Sequence, residues 1–222
     1  PDAGPWNSKL RYGSLGFQYD SVQYWFERPI ATQQTGWSFV AQMRGYEGAH
    51  AGGILWFGVD DAATSLYVPM YSTITEVPEC FAESNGDMYT YSPTSAWWTY
   101  NIVANWAYSK YSAMLPDIQK VQSAWEDKFN AQVEVIDKAV AELNPADKAA
   151  WLTKYSCTQA QESTDAWKEL GIYLFVKYLD GQERKEIDGE FLRNAYGEPE
   201  GPNRMPYPTE FLQKIAPVVA HE

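Results

Sequence analysis

The chain has 222 residues, 45% hydrophobic and 21% charged, a size that suits one globular domain or two small ones. Aromatic residues make up 16%, with 10 Trp and 16 Tyr, and this excludes global disorder, since only chains poor in apolar surface fail to offset the entropy of ordering. The net charge of −12 repels phosphate backbones and anionic headgroups, so nucleic acid and membranes are not expected partners.

No stretch approaches the roughly 18 apolar residues that a bilayer span needs, and a soluble chain is expected. It opens Pro1-Asp2-Ala3-Gly4-Pro5-Trp6, with neither Met nor a basic leader, which reads as a processed or excised chain. The first half, residues 1–92, reads as strands and loops. Trp37 to Arg44 is a short apolar run compatible with helix or strand, followed by a Gly/Ala-rich link from Gly45 to Gly53 that suits a turn. Gly53 to Val59 and Ser65 to Tyr71 are β-favouring runs around the polar turn Asp60-Asp61-Ala62-Ala63-Thr64, a hairpin pattern. Pro69 lacks a ladder donor, so the second strand belongs at an edge or carries a bulge. Thr73 to Ser92 reads as an irregular excursion.

The second half, residues 93–222, switches to helical period. Ser92-Pro93 offers a cap and a first-position proline for a helix over Ser95 to Leu115. Pro116-Asp117 restarts a helix on which Ile118, Val121, Trp125, Phe129, Val133, Ile136, Val140 and Leu143 recur every three or four residues. Lys120, Glu126, Asp127, Lys128, Glu134, Asp137 and Lys138 fall on its other, solvated side. Asn144-Pro145 ends it and caps a helix to about Ala160. A further helix carries Trp167, Leu170, Gly171, Leu174, Phe175 and Tyr178 and stops at Asp180-Gly181. Gly197 to Pro208 reads as extended, and Thr209 caps a short helix through Ala216. Strands followed by helices predict a single α+β unit over 1–222, an antiparallel sheet with packed helices.

Chemistry-bearing residues are few. Cys80 and Cys157 lie too far apart for a CxxC signature, and His50 and His221 are the only histidines, too little for a metal cluster or an ordinary Ser-His-Asp triad. Asp60 and Asp61 read first as turn residues that bond their own backbone, with acid/base or cation-binding work as the alternative. Arg44 has two open roles, a bidentate clamp on a substrate carboxylate or a partner for one of the many acidic side chains. Asn101 and Asn105, four apart on an aromatic helix, point the same way and either brace the sheet or line a pocket floor. Trp97, Trp98, Tyr100, Trp106, Tyr108 and Tyr111 surround that helix, which favours core over a sugar-stacking platform. Either cysteine reads as a small buried hydrophobe before it reads as a nucleophile.

Several continuous strings go further. Glu27 to Gly36 (ERPIATQQTG), Ser38 to Arg44 (SFVAQMR), Gly52 to Asp61 (GGILWFGVDD) and Ser95 to Asn105 (SAWWTYNIVAN), together with Val68-Pro69-Met70-Tyr71 and Val77-Pro78-Glu79-Cys80-Phe81, resemble the C69 family of dipeptidases. These are N-terminal-nucleophile cysteine hydrolases related to choloylglycine hydrolases, and the similarity covers most of residues 1 to 215. The resemblance implies a four-layer αββα fold and a nucleophilic N-terminal Cys whose own α-amine acts as base. Pro1 has no thiol, so the chain is expected to be the C-terminal half of such an enzyme, with the reactive Cys outside it. No cofactor or metal is implied. The expected partners are a dipeptide substrate and the N-terminal half of the same precursor, with room for a homo-oligomer, in a secreted or periplasmic rather than cytoplasmic setting. Arg44, Asn101 and Asn105 are the residues put forward for substrate binding. The alternative is a non-catalytic module that binds carbohydrate or peptide.

Overall fold

The computed structural model describes residues 4–11, 13–26, 28, 30–201 and 203–219; Pro1, Glu27, Pro29 and His221 of the sequence reading lie outside them. Its sheet is built from the apolar runs of the first half. Strands β1 (Gly16–Tyr19) and β2 (Val22–Trp25) form a separate hairpin, whose turn residues Asp20 and Ser21 both take positive φ, the geometry of a two-residue hairpin loop. Strands β3 (Trp37–Gln42), β4 (Ile54–Val59) and β5 (Val68–Tyr71) then form an antiparallel sheet in the order β3-β4-β5. Trp37 to Arg44 is therefore a strand. The expected hairpin is β4–β5, in register from Ile54 opposite Tyr71 to Phe57 opposite Val68.

Pro69 sits on the edge strand, as its missing donor requires, and helices complete that edge. The Ser156 hydroxyl donates to the Pro69 carbonyl at 2.9 Å and accepts from the Tyr71 N–H at 3.4 Å. Gln122 donates to the Ser65 carbonyl, and the Tyr67 N–H donates to Glu126. The other edge, β3, has no strand beside it among the described residues, and it leaves Trp37, Phe39 and Val40 between 49% and 60% exposed.

Helix α1 (Ala96–Tyr108) starts from Ser95, three residues later than the Ser92-Pro93 pattern suggests. It also ends earlier, at Ser109 and Lys110, and α2 (Tyr111–Val140) runs straight through Pro116. No breaker marks this corner. Lys110 makes it, leaving helical φ/ψ while its buried ammonium donates to the Tyr178 carbonyl. Helix α3 (Pro145–Tyr178) has Asn144 as N-cap, accepting from the Ala146 and Asp147 N–H groups, and proline at the first position, as read from the sequence.

Two helices were expected over this stretch, yet α3 is one continuous helix of 34 residues. Ser163 and Thr164 turn their hydroxyls back onto the Ala160 carbonyl, so they join the helix instead of breaking it. It stops at Asp180 and Gly181, both at positive φ. A second small hairpin, β6 (Glu186–Ile187) and β7 (Glu190–Phe191), turns on Asp188-Gly189. Helix α4 (Thr209–Val219) runs past Ala216 through Pro217.

One core joins both halves of the chain: Val59, Val68 and Met70 from the sheet meet Tyr100, Met114, Ile118, Phe129, Trp167 and Leu174 from three helices. Trp167 is fully buried and stacks on Tyr100 with ring centroids 4.9 Å apart. The architecture is α+β, helices on an antiparallel sheet. No helix among the described residues is long and apolar enough to cross a membrane.

Candidate functional site

Two acids leave the end of β4. Asp60 takes a positive φ of 64°, a conformation that Asp tolerates better than most residues, and its N–H donates to the Gly36 carbonyl at 2.9 Å. One carboxylate oxygen accepts from the Asn101 amide at 2.9 Å, and the other is buried without a partner among the described residues. Burial pushes the Asp60 pKa up to about 6, against the opposing pull of the Asn101 bond and the Asp61 backbone N–H.

Asp61 is fully buried. It accepts from Lys9 at 2.6 Å, from the Ala63 N–H at 3.1 Å and from the Tyr108 hydroxyl at 2.6 Å. Burial and that bond to Asp61 hold the Tyr108 hydroxyl far above its ordinary pKa, so it stays a donor. Turn chemistry accounts for the Ala63 bond only; the two acids are also a buried knot between the sheet, α1 and the N-terminal segment. Asn101 braces that knot. Asn105, exposed rather than buried, donates to the Asn101 side-chain oxygen at 3.0 Å and to its carbonyl at 2.9 Å, which orients the first amide toward Asp60.

Beside this knot opens a cleft of ≈ 340 Å³, bounded by Gly36 and Val59, the two residues that Asp60 adjoins. Trp37, Phe57, Phe81, Trp97 and Trp98 line it. Phe81 meets Phe57 edge-on at 5.3 Å, and Trp97 meets Trp98 edge-on at 4.9 Å. Of the aromatic cluster expected to be core, Tyr100 and Tyr108 are buried, whereas Trp97 and Trp98 form a wall. Gly86 closes the surrounding loop at φ 84°, where a Cβ would stand 2.9 Å from the Thr90 carbonyl.

Arg44 lies elsewhere, beyond the Gln42–Ile54 end of the β3–β4 ladder, while the acids leave the Trp37–Val59 end. Its guanidinium donates to both Asp137 oxygens, to the Gly52 carbonyl at 3.1 Å and twice to the Tyr46 hydroxyl. All five N–H groups are thereby engaged, so no fork remains for a substrate carboxylate. This resolves the two open roles in favour of pairing. Asp137, expected on the solvated side of α2, is instead 5% exposed and also accepts from the Ala51 N–H. Arg44, Asn101 and Asn105 are thus not one constellation.

The family model for peptidase family C69 matches residues 7–124, more than half of the chain. The chain belongs to peptidase family C69. Its chemistry is accordingly that of a peptidase, a hydrolase. No curated protein matches it. The matched stretch contains the sheet, the Asp60–Asn101 pair and every residue lining the cleft, and it ends within α2, short of the 1–215 extent that the resemblance suggested.

Neither thiol of this C69 chain is poised to react. Cys80 lies in the cleft lining but is 2% exposed, and burial raises its pKa despite a hydrogen bond with Thr164. Burial likewise raises Cys157. Both cysteines are free. His50 is exposed in the loop after β3, with its carbonyl accepting from Lys148. Among the described residues no group of three or more His, Cys, Asp and Glu could hold a metal ion.

What the sequence reading missed was the joining of Asp60 to Asn101 and the cleft beside them. The available signal was the pair of adjacent acids directly after an apolar strand, a place where charge is buried only if partners are supplied.

Proposed function

We propose that this C69 chain is part of a cysteine dipeptidase whose nucleophile, an N-terminal Cys using its own α-amine as base, lies outside these residues. The thiolate attacks the peptide carbonyl, the amine leaves, and water releases the acyl group from the thioester. The observation that carries this reading is the family match across the whole cleft combined with two internal thiols whose pKa burial raises. The fold proposed for the intact enzyme is the four-layer αββα sandwich, with β3–β5 part of one sheet and the upstream half of the precursor as partner. The uncovered β3, with Trp37, Phe39 and Val40 exposed, supports that.

The test is hydrolysis of a dipeptide panel by the full-length protein, with alkylated cysteines mapped by mass spectrometry. Cleavage that survives Cys80→Ala with Cys157→Ala, and that is lost on alkylation of an upstream N-terminal Cys, is the expected result. Activity that depends on Cys80 or Cys157 would overturn the assignment of the nucleophile. The aromatic walls of the cleft also suit a second reading, a non-catalytic module for peptide or carbohydrate, which predicts saturable binding of glycans or peptides with no turnover of any dipeptide.

A further inference from the structure

The cleft beside Asp60 carries a charge pattern that its aromatic walls do not require. Its volume of ≈ 340 Å³ lies in the small-molecule range of roughly 300 to 1,000 Å³. Trp37, Phe57, Phe81 and Trp97 supply apolar surface, and among the described residues the charged ones lining it are Glu83 and Asp87, with no Lys, Arg or His. Glu83 is exposed and makes no hydrogen bond or ion pair among the described residues. Asp87 is held in place by the Tyr89 N–H at 2.7 Å and the Thr90 hydroxyl at 3.2 Å. The Tyr89 bond first, then those of Thr90, hold its carboxyl below the ordinary range.

An apolar hole with two carboxylates that no cation pairs among the described residues selects by chemistry. An anion is repelled, and a neutral apolar molecule fills the walls but leaves the carboxylates unused. A molecule with an apolar body and one ammonium uses both, and aromatic rings add cation–π attraction. We propose that the cleft receives the N-terminal residue of the dipeptide, its hydrophobic side chain among Trp37, Phe57, Phe81 and Trp97 and its free α-ammonium against Glu83 and Asp87. The proposal rests on the dipeptidase reading and deepens it: among dipeptides the enzyme would favour large apolar first residues, with Glu83 and Asp87 as the groups that hold the ammonium.

Two arms separate the pocket from the chemistry. In the first, ligand-observed NMR titrates the full chain with phenethylammonium and with its neutral counterpart 2-phenylethanol. The ammonium is expected to bind about tenfold more tightly, a difference of about 1.4 kcal/mol. That preference should shrink toward unity in roughly 0.5 M salt and in the doubly substituted Glu83→Gln, Asp87→Asn chain, while Trp97→Ala weakens both ligands. In the second arm, the full-length protein is assayed on Phe-Gly, Gly-Gly and N-acetyl-Phe-Gly. Phe-Gly is expected to be the best substrate and the acetylated one to resist, with the double substitution raising KM far more than it lowers kcat. Equal binding of the two probes, or a preference that survives the double substitution, overturns the pocket assignment even if dipeptides are hydrolysed. Ammonium preference without hydrolysis of any dipeptide overturns the dipeptidase reading, and the assignment to a dipeptide falls with it.

Discussion

Replacing Asp137 with alanine is the sharpest test of how the sheet is tied to the helices. The Arg44 side chain is 1% exposed and that of Asp137 is 8% exposed, so the pair is shielded from water. Without Asp137 the guanidinium keeps only Tyr46 and the Gly52 carbonyl among the described residues, and the Ala51 N–H loses its acceptor. Breaking a buried pair by removing one partner costs about 3–5 kcal/mol, and an orphaned buried N–H about 1–3 kcal/mol. These losses overlap, so the expected total is about 4 kcal/mol, equivalent to a fall in Tm of about 8–16 °C for a chain of this size. Urea unfolding followed by tryptophan fluorescence measures the first quantity, and a thermal melt the second. Arg44→Met combined with Asp137→Leu should cost clearly less than the sum of the single substitutions, because an apolar pair leaves no buried charge behind. A loss below about 1 kcal/mol for Asp137→Ala would show that the ion pair is not shielded as the geometry indicates.

Folding raises the Asp60 pKa from 3.8 to about 6, so between those values the folded chain holds a proton that the unfolded chain releases. Its contribution to stability is therefore full below about pH 4 and is lost as pH rises through about 6, by roughly 3 kcal/mol in all. Urea midpoints from pH 4 to 7 should fall more in the unsubstituted chain than in Asp60→Asn; parallel profiles would refute this. Trp167→Ala should cost about 3–5 kcal/mol and Trp125→Ala clearly less, since Trp125 is half-buried under Lys128; equal losses in a urea melt would contradict this placement of the core. Lys177 bridges Asp117 at 2.9 Å and Glu186 at 2.8 Å, so Lys177→Met should destabilise by roughly 2 kcal/mol at pH 7, between exposed and buried pairs. The deficit should shrink as pH falls: against burial, which raises it, Lys177 and Tyr173 hold the Glu186 carboxyl below its ordinary range, and that stabilisation is lost once Glu186 takes up a proton.

The elements visible in the sequence were those with local causes. The periodicity of α2 placed Ile118, Phe129, Ile136 and Val140 inward, and they are buried; Asn144-Pro145 and Asp180-Gly181 marked the ends of α3. The corner at Lys110 was not visible, because it depends on the Tyr178 carbonyl 68 positions away. Asp137 read as solvated because the loop that covers it comes from residues 44–52. Asp188-Gly189 between Ile187 and Phe191 was a readable hairpin signal that the sequence reading passed over. At the candidate site, the need of Asn101 for a partner was legible, but the identity of Asp60, 41 positions away, was not. Trp97 and Trp98 looked like core because composition does not tell the wall of a cleft from an interior.

The Ser156 hydroxyl serves as a stopper. By occupying the Pro69 carbonyl and the Tyr71 N–H, it leaves this three-stranded sheet a single free rim among the described residues, that of β3. A sheet open at both rims can add copies without limit and grow into fibres. Here the one rim left free can take up a single joined partner, such as the upstream half proposed to cover β3, and growth stops there.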